Sequence, residues 1–362
     1  MSLQYRGSLM LSSHSWKNNF YFIHDAPFIR KFFGIAQNKI EDYRHFLLCP
    51  INKTLDSRGF DAGYFKIIPF NRYEEVNDYL KDIDYLNKNR RVYISVRDRV
   101  LSFERKNIMA ILNATPDSFF PGSRLDPSDI ESKIEKIKNL KIDIVDIGGE
   151  STRPGSDPVE PLEEWRRIKP VLETALQKGL TVSVDTYRSK VAEQALEMGA
   201  HIINDVTGME DERMAHLTKK YESGLILMHK KGNFKNMQDN PYYENVILEI
   251  LDYFYERISL AREYDIEDKI ILDPGIGFGK RIEDNLDIIR FIKEFKIGYP
   301  LLIGLSRKGF IGKIMNESVE ERALSSVIFN SVALMNGADI IRVHDLEENL
   351  KLIKIINEIN NF

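Results

Sequence analysis

Cysteine is almost missing from these 362 residues: Cys49 stands alone, which excludes an intramolecular disulfide and any zinc site built on several thiolates. A reducing cytoplasm is the compartment that fits. Long hydrophobic runs are missing too. No stretch approaches the roughly 20 apolar residues that span a bilayer, and the opening MSLQYRGSLMLSSHSWKNNF holds no sustained apolar core of the kind that directs export. Charge of one sign is not in excess, since 51 Lys and Arg stand against 55 Asp and Glu for a net charge of -4. That balance excludes a global attraction for nucleic acid, so any anion must be held by a local cluster of Arg and Lys. Neither a membrane nor a nucleic acid is expected as a partner. A glycine fingerprint GxGxxG after the first strand-like run is also lacking, which argues against a dinucleotide-binding fold.

What is present is a recurrence. A composition of 43% hydrophobic and 29% charged residues can bury a large core. From about residue 107 onward, short runs rich in Ile, Leu and Val each close on a polar residue. The runs are IMAILN, DIVDIGGESTR, TVSVDT, HIINDV, LILMH, IILDPGIGFGK, LLIGLSRK and DIIRVHD. Each is followed by an amphipathic helical pattern, which makes eight β-then-α units and predicts a (β/α)8 TIM barrel over residues 106–362. Gly179, Gly199 and Gly337 lie just past helical patterns, where a left-handed residue ends a helix. An open doubly wound sheet is the alternative, because alternation alone does not prove closure.

Residues 1–105 show no such repeat and read as an additional N-terminal α/β module. Strand patterns fall at YFKIIPF and RVYISV, and helical patterns around APFIRKFFGIA and YEEVNDYLKDIDYLN. The segment RVYISVRDRVLSFER has the pattern of a hairpin, with Arg97 and Asp98 at its turn, that could close the barrel's amino-terminal end.

In a closed barrel the strand ends share one rim, and the rim is the expected active site. The last strand adjoins the first, so Arg342 and His344 would neighbour Asn113, with Arg153 in the loop GGESTRPGS. Forked guanidiniums match phosphate oxygens, so this cluster reads as an oxyanion or diphosphate site. Scaffolding pairs with Glu150 or Asp345 are the plainer reading of the same arginines. Asp185, Asn204, Asp273 and Lys308 can together read the donor and acceptor edge of a flat, nitrogen-rich heterocycle. A salt bridge from Lys308 to Asp185 or Asp273 is the alternative there. In DPGIGFGK the glycines allow close backbone approach and Phe278 can stack on a ring. The stretch NATPDSFFPGSR has the length of a mobile lid, and Asn113 offers an amide oxygen to a hard cation such as Mg2+. His229 ends the fifth run, in LMHKKGNFKNMQ, whereas His14, His24, His45, His201 and His216 have no partner at metal-ligand spacing.

The motifs ILNATPDSF, DIGGESTRPGS, VSVDTYRSKVAEQAL, GAHIINDVTG, LMHKKGNFKNMQ, DPGIGFGK, IGLSRKGFIG and RVHD occur in order across about residues 107–350, and this region resembles the dihydropteroate synthases. The resemblance implies a transferase of folate biosynthesis that joins 6-hydroxymethyl-7,8-dihydropterin diphosphate to p-aminobenzoate and releases diphosphate. It implies a pterin site of Asp185, Asn204, Met228, Asp273, Phe278 and Lys308, and a diphosphate site of Asn113, Arg153, Arg342 and His344. Mg2+ is implied at Asn113, p-aminobenzoate at Thr152, Arg153 and Ser306, and catalytic roles for Asp185, Lys308, Arg153 and Arg342. A homodimer through barrel helices is implied as well. The lid departs from the family's usual DSFSDGG, with Pro121 where a second acid is common, and this leaves the identity of the amine open. Ala114 and Lys230 replace apolar residues more usual in the family. Alternatives are a pterin-barrel synthase of methanopterin type using another arylamine, a pterin-dependent methyltransferase, and a pterin-binding protein without catalysis. The diphosphate cluster favours a synthase over a methyltransferase.

Overall fold

The structure, a computed structural model, describes residues 21–23, 45–50, 60–62, 65–70, 91–114, 127–150, 158–234 and 236–360. The chain divides into two compact units, Met1–Arg90 and Arg91–Phe362. In the first, β1 (Tyr21–Ile23), β2 (His45–Pro50), β3 (Phe60–Ala62) and β4 (Phe65–Phe70) form an antiparallel sheet in the order β1-β2-β4-β3. The expected strand YFKIIPF is β4; the helical patterns expected in this unit lie outside the described residues.

The second unit opens with a hairpin, β5 (Tyr93–Val96) and β6 (Arg99–Ser102), turning at Arg97 and Asp98 as the sequence pattern predicts. The barrel strands follow: β7 (Asn107–Asn113), β8 (Ile144–Gly148), β9 (Val182–Asp185), β10 (Ile202–Asp205), β11 (Gly224–Met228), β12 (Ile270–Asp273), β13 (Leu302–Ile303) and β14 (Ile340–Val343). All eight are in one sheet, ordered β12-β11-β10-β9-β8-β7-β14-β13. A parallel bridge between Leu272 and Leu301, with Leu272 N donating to Pro300 O at 3.0 Å, brings its two edges together. The sheet is therefore a barrel, not an open doubly wound sheet. β13 is short, and Pro300 just ahead of it has no N–H to donate.

Around the strands run α1 (Pro127–Asn139), α2 (Pro161–Gln177), α3 (Ser189–Met198), α4 (Arg213–Tyr221), α5 (Val246–Glu263), α6 (Ile282–Arg290), α7 (Gly309–Met315), α8 (Arg322–Asn336) and α9 (Leu346–Asn360). β8 through β12 are buried along their whole length, which is why their sequences are near-continuous apolar runs. Gly199 and Gly337, at φ 122° and 126°, end α3 and α8 as expected from glycine's freedom at positive φ.

The hairpin belongs with the barrel, so the compact unit begins at Arg91, ahead of the division expected at 105/106. Ile94, Val96, Leu101 and Phe103 pack against Met109, Ile144, Ile202, Ile226, Ile271, Leu302 and Ile340, the starting ends of the barrel strands. At the turn the Arg97 guanidinium donates to Leu196 O at 2.7 Å, at the carboxyl end of α3, and the Arg97 backbone N–H donates to Glu222 O at 2.8 Å, just past α4. The floor of the barrel is thus closed by apolar burial and pinned by a cation at the negative end of the α3 dipole. Phe103 is 2% exposed, and Phe103→Ala should cost about 3–5 kcal/mol by opening a cavity there. Denaturant titration reads this directly; an unchanged midpoint would show that the floor contributes nothing to stability.

Candidate active site

The polar ends of the strands converge at the opposite rim. Parallel register sets Asn113 beside Gly148, Gly148 beside Asp185, and Asp185 beside Asn204, while Met228 is paired with Asp273. β14 lies next to β7, so Arg342 enters from the side of Asn113. A cavity of about 1200 Å³ is lined by Asn113, Asp185, Asn204, Met228, Asp273, Phe278, Ser306, Lys308, Arg342 and His344. Every expected site residue that is described is therefore on this one cavity. Thr152, Arg153 and Pro121 lie outside the described residues.

Arg342 organises the floor of the cavity. Its Nε donates to Asp146 Oδ2 at 2.6 Å and its Nη2 to Asp185 Oδ2 at 2.7 Å. Asn204 Nδ2 donates to the same Asp146 oxygen at 3.0 Å. Asp146, Asp185 and Asn204 are all buried, yet Oδ1 of each has no hydrogen-bond partner among the described residues. A buried acceptor left unpaired costs about 1–3 kcal/mol, so the oxygens of Asp185 and Asn204, which line the cavity, are poised to receive donors from a ligand. Burial pushes the Asp185 carboxyl up to about 7, against the pull of Arg342, with Asp146 adding repulsion. Asp273 is likewise raised to about 6 by burial while Gly275 N donates to its Oδ1 at 2.8 Å.

One wall is apolar: Val206, Met228, Met237 and Phe278 form a buried cluster with Tyr187 and Phe234 packed against it. The Lys308 ammonium lies 4.4 Å from the Phe278 ring centroid, a cation over a π face. On the other side Ser306 Oγ and His344 Nδ1 are 3.1 Å apart, and His344 N donates to the same hydroxyl at 3.2 Å. The scaffolding partners expected for the arginines are engaged elsewhere, Asp345 by Arg307 at 2.6 Å and Glu150 by Arg188 at 2.6 Å, and Arg342 pairs instead with Asp146 and Asp185.

Asp146 lies in the run DIVDIGGESTR, whose pattern gives it no role. The signal was there, an acid inside the otherwise apolar IVDIG. Met237 and Tyr187 on the apolar wall were missed, because a loop methionine and a tyrosine carry no periodic signature. Asn285 was missed too; its Oδ1 accepts from Gly277 N at 2.7 Å and steadies the glycine turn.

A closed α/β barrel with an acid-and-amide floor, an arginine and an aromatic wall at its carboxyl-terminal rim defines a class of enzyme that binds flat heterocycles. The sequence family described as pterin binding enzymes matches residues 109–344, and the chain belongs to it. Among curated relatives it is 42% identical over 258 residues to the dihydropteroate synthase of Clostridium beijerinckii, covering 70% of this chain and 93% of that one. Among solved structures it resembles the Yersinia pestis dihydropteroate synthase with a sulfonamide drug complex, at TM-score 0.71 and 34% identity, covering 75% of this chain and 100% of that one. It also resembles the dihydropteroate synthase from Thermus thermophilus in complex with 4-aminobenzoate, at TM-score 0.67 and 36% identity, covering 74% and 99%.

Proposed function

We propose that this chain is a dihydropteroate synthase, a transferase condensing 6-hydroxymethyl-7,8-dihydropterin diphosphate with p-aminobenzoate to 7,8-dihydropteroate and diphosphate. The observation that carries this reading is the set of unpaired buried oxygens on Asp185 and Asn204, facing a cavity with an apolar wall. The donor-rich edge of a pterin satisfies them. Asp185, Asn204, Asp273 and Lys308 bind that edge in this reading, and Met228 and Phe278 cover the ring faces. Asn113, Arg342 and His344, with Arg153, receive the diphosphate; Ser306, with Thr152 and Arg153, borders the p-aminobenzoate.

In the reaction the amine nitrogen forms a bond to the pterin methylene carbon, the carbon–oxygen bond breaks, and diphosphate leaves with the electron pair while the amine loses a proton. Donors fixed where negative charge grows lower the barrier most, which is the role of Arg342 and His344. The Asp185 carboxylate stabilises positive charge developing on the pterin. Asn113 provides a hard oxygen donor on the cavity, and no group of three or more His, Cys, Asp or Glu suited to a metal occurs among the described residues. That donor set fits a Mg2+ that shares phosphate oxygens with the substrate and takes few protein ligands. Bound there, the ion would neutralise leaving-group charge.

We further place the enzyme in the cytoplasm, on the single Cys49 and the absence of a helix long and apolar enough to cross a membrane among the described residues. A homodimer is supported by α8, where Leu324, Ile328, Val332 and Met335 are 70%, 55%, 43% and 59% exposed along one stripe. Light scattering should return twice the chain mass of 42.1 kDa.

The deciding experiment supplies the pterin diphosphate with Mg2+, with and without p-aminobenzoate, and identifies the pterin product by mass. Dihydropteroate supports the proposal; pterin binding without p-aminobenzoate incorporation would move the second substrate to another arylamine. Lys308→Ala should lower kcat/KM about 100-fold or more without unfolding the barrel, because a charged hydrogen bond and a cation–π contact are both lost. Unchanged kinetics would remove Lys308 from the site.

A further inference from the structure

Two buried titratable groups next to the cavity have no part in the chemistry above: His229, which follows β11, and Lys280, which ends the glycine turn after β12. Lys280 is 3% exposed. Its Nζ lies 3.0 Å from His229 Nδ1 and donates to His229 O at 3.3 Å and to Phe278 O at 3.1 Å. One side-chain amine, which burial pushes down to about 7, therefore ties the turn to itself and to the end of the neighbouring strand. His229 is held from behind, with its backbone N–H donating to Asp273 O at 2.9 Å and its ring edge-on to Tyr253 at 5.0 Å. Burial pushes the His229 imidazole well below its ordinary range, which leaves a neutral ring able to accept at Nδ1.

The two loops also approach too closely for side chains. A Cβ on Gly275 would lie 1.9 Å from His229 O, and one on Gly279 would lie 2.0 Å from Lys231 O. Between these two contacts the turn carries Phe278, whose ring bears the Lys308 ammonium. A turn pressed this tightly against a strand end has little room to shift, and Lys280 ties it to that strand end, beside the hydrogen bonds that Gly275 N and Gly277 N make to Asp273 and Asn285.

We infer that Lys280 is a positioning residue of the pterin pocket: through His229 and the Phe278 carbonyl it fixes the turn after β12, and so places the Phe278 ring and the Lys308 cation above it. This rests on the proposed pterin site. A merely structural lysine would change melting temperature without changing affinity per folded molecule. A positioning lysine changes affinity, and does so through Phe278.

The test is calorimetric binding of 6-hydroxymethyl-7,8-dihydropterin diphosphate with Mg2+ to the full chain, its Lys280→Met, Phe278→Ala and double variants, alongside kcat and melting. Lys280→Met should weaken binding about 10- to 100-fold, the scale of a site displaced by an ångström, while kcat changes less. In the Phe278→Ala background the same substitution should lose most of its effect, since coupled residues are non-additive. Lys280→Gln, which keeps donors but not charge, should fall between and replaces the methionine variant if that one does not fold. Parental affinity in Lys280→Met, an undiminished penalty in the Phe278→Ala background, or failure of both variants to fold would overturn the role. If the unmodified chain itself does not bind the pterin diphosphate, the synthase reading fails first; binding by the parent with no change on substitution removes only Lys280.

Discussion

Arg342→Met should be the most damaging single change in the barrel, costing both stability and turnover. The guanidinium is shared between Asp146 and Asp185, which are 0% and 6% exposed, at 2.6 and 2.7 Å. Removing it leaves two buried carboxylates without their common cation, and breaking a buried pair from one side typically costs about 3–5 kcal/mol. The sign of the pH dependence follows from Asp185. Its folded pKa of about 7 already exceeds the ordinary value of 3.8, so its contribution to stability is present below the lower value and lost as pH rises through the upper one. Without Arg342 the folded value moves further up. The deficit of the variant should therefore be largest above neutrality and shrink as pH falls toward 4, a comparison that denaturant titration at two pH values makes. Equal stability at both would show that the arginine does not carry these carboxylates. If Arg342 receives the diphosphate as proposed, turnover should fall about 100- to 1000-fold at any pH where the variant is folded.

Asp185→Asn should separate catalysis from stability. The amide keeps an oxygen for Arg342 Nη2 but cannot hold negative charge, so loss of turnover on the order of 100-fold is expected. Stability at pH 8 should not fall by the several kcal/mol expected for Arg342→Met, because the burial cost that raises the Asp185 pKa to about 7 vanishes with the charge. In the proposed pterin site the carboxylate is the form that accepts from both donors of a pterin edge. Pterin affinity of the parent chain should accordingly weaken as pH drops through about 7, and in Asp185→Asn that part of the profile should flatten. Residual dependence nearer 6 would then belong to Asp273. An Asp185→Asn variant with the parental pH profile would remove Asp185 as the titrating group.

The polar strand ends show where sequence patterns stop. HIINDV sets Asn204 and Asp205 side by side, and strand alternation assigns them to opposite faces. In the structure Asn204 lines the cavity. Asp205 is turned away and accepts from Thr207 N and Met209 N, both at 2.8 Å, holding the following turn. DPGIGFGK likewise carries no local signal of what Lys280 does at the end of the loop, and only packing shows it buried and bonded to His229.

Sequence by itself determined the strands, the helices that follow them and which polar residues end each run. These features are local, and a strand buried on both faces must be apolar until the point where it leaves the core. It also carried the motifs that mark the pterin-binding family. Tertiary structure decided that the sheet closes between Leu272 and Leu301, that the hairpin from Tyr93 to Ser102 belongs to the barrel floor, and that Arg342 pairs with Asp146 and Asp185. None of these is local. The arginine and its nearer carboxylate in sequence are 157 residues apart along the chain, and no periodicity links them. Their meeting follows from register between neighbouring strands and from the need of two buried carboxylates for one cation, which exists only once the barrel has excluded water.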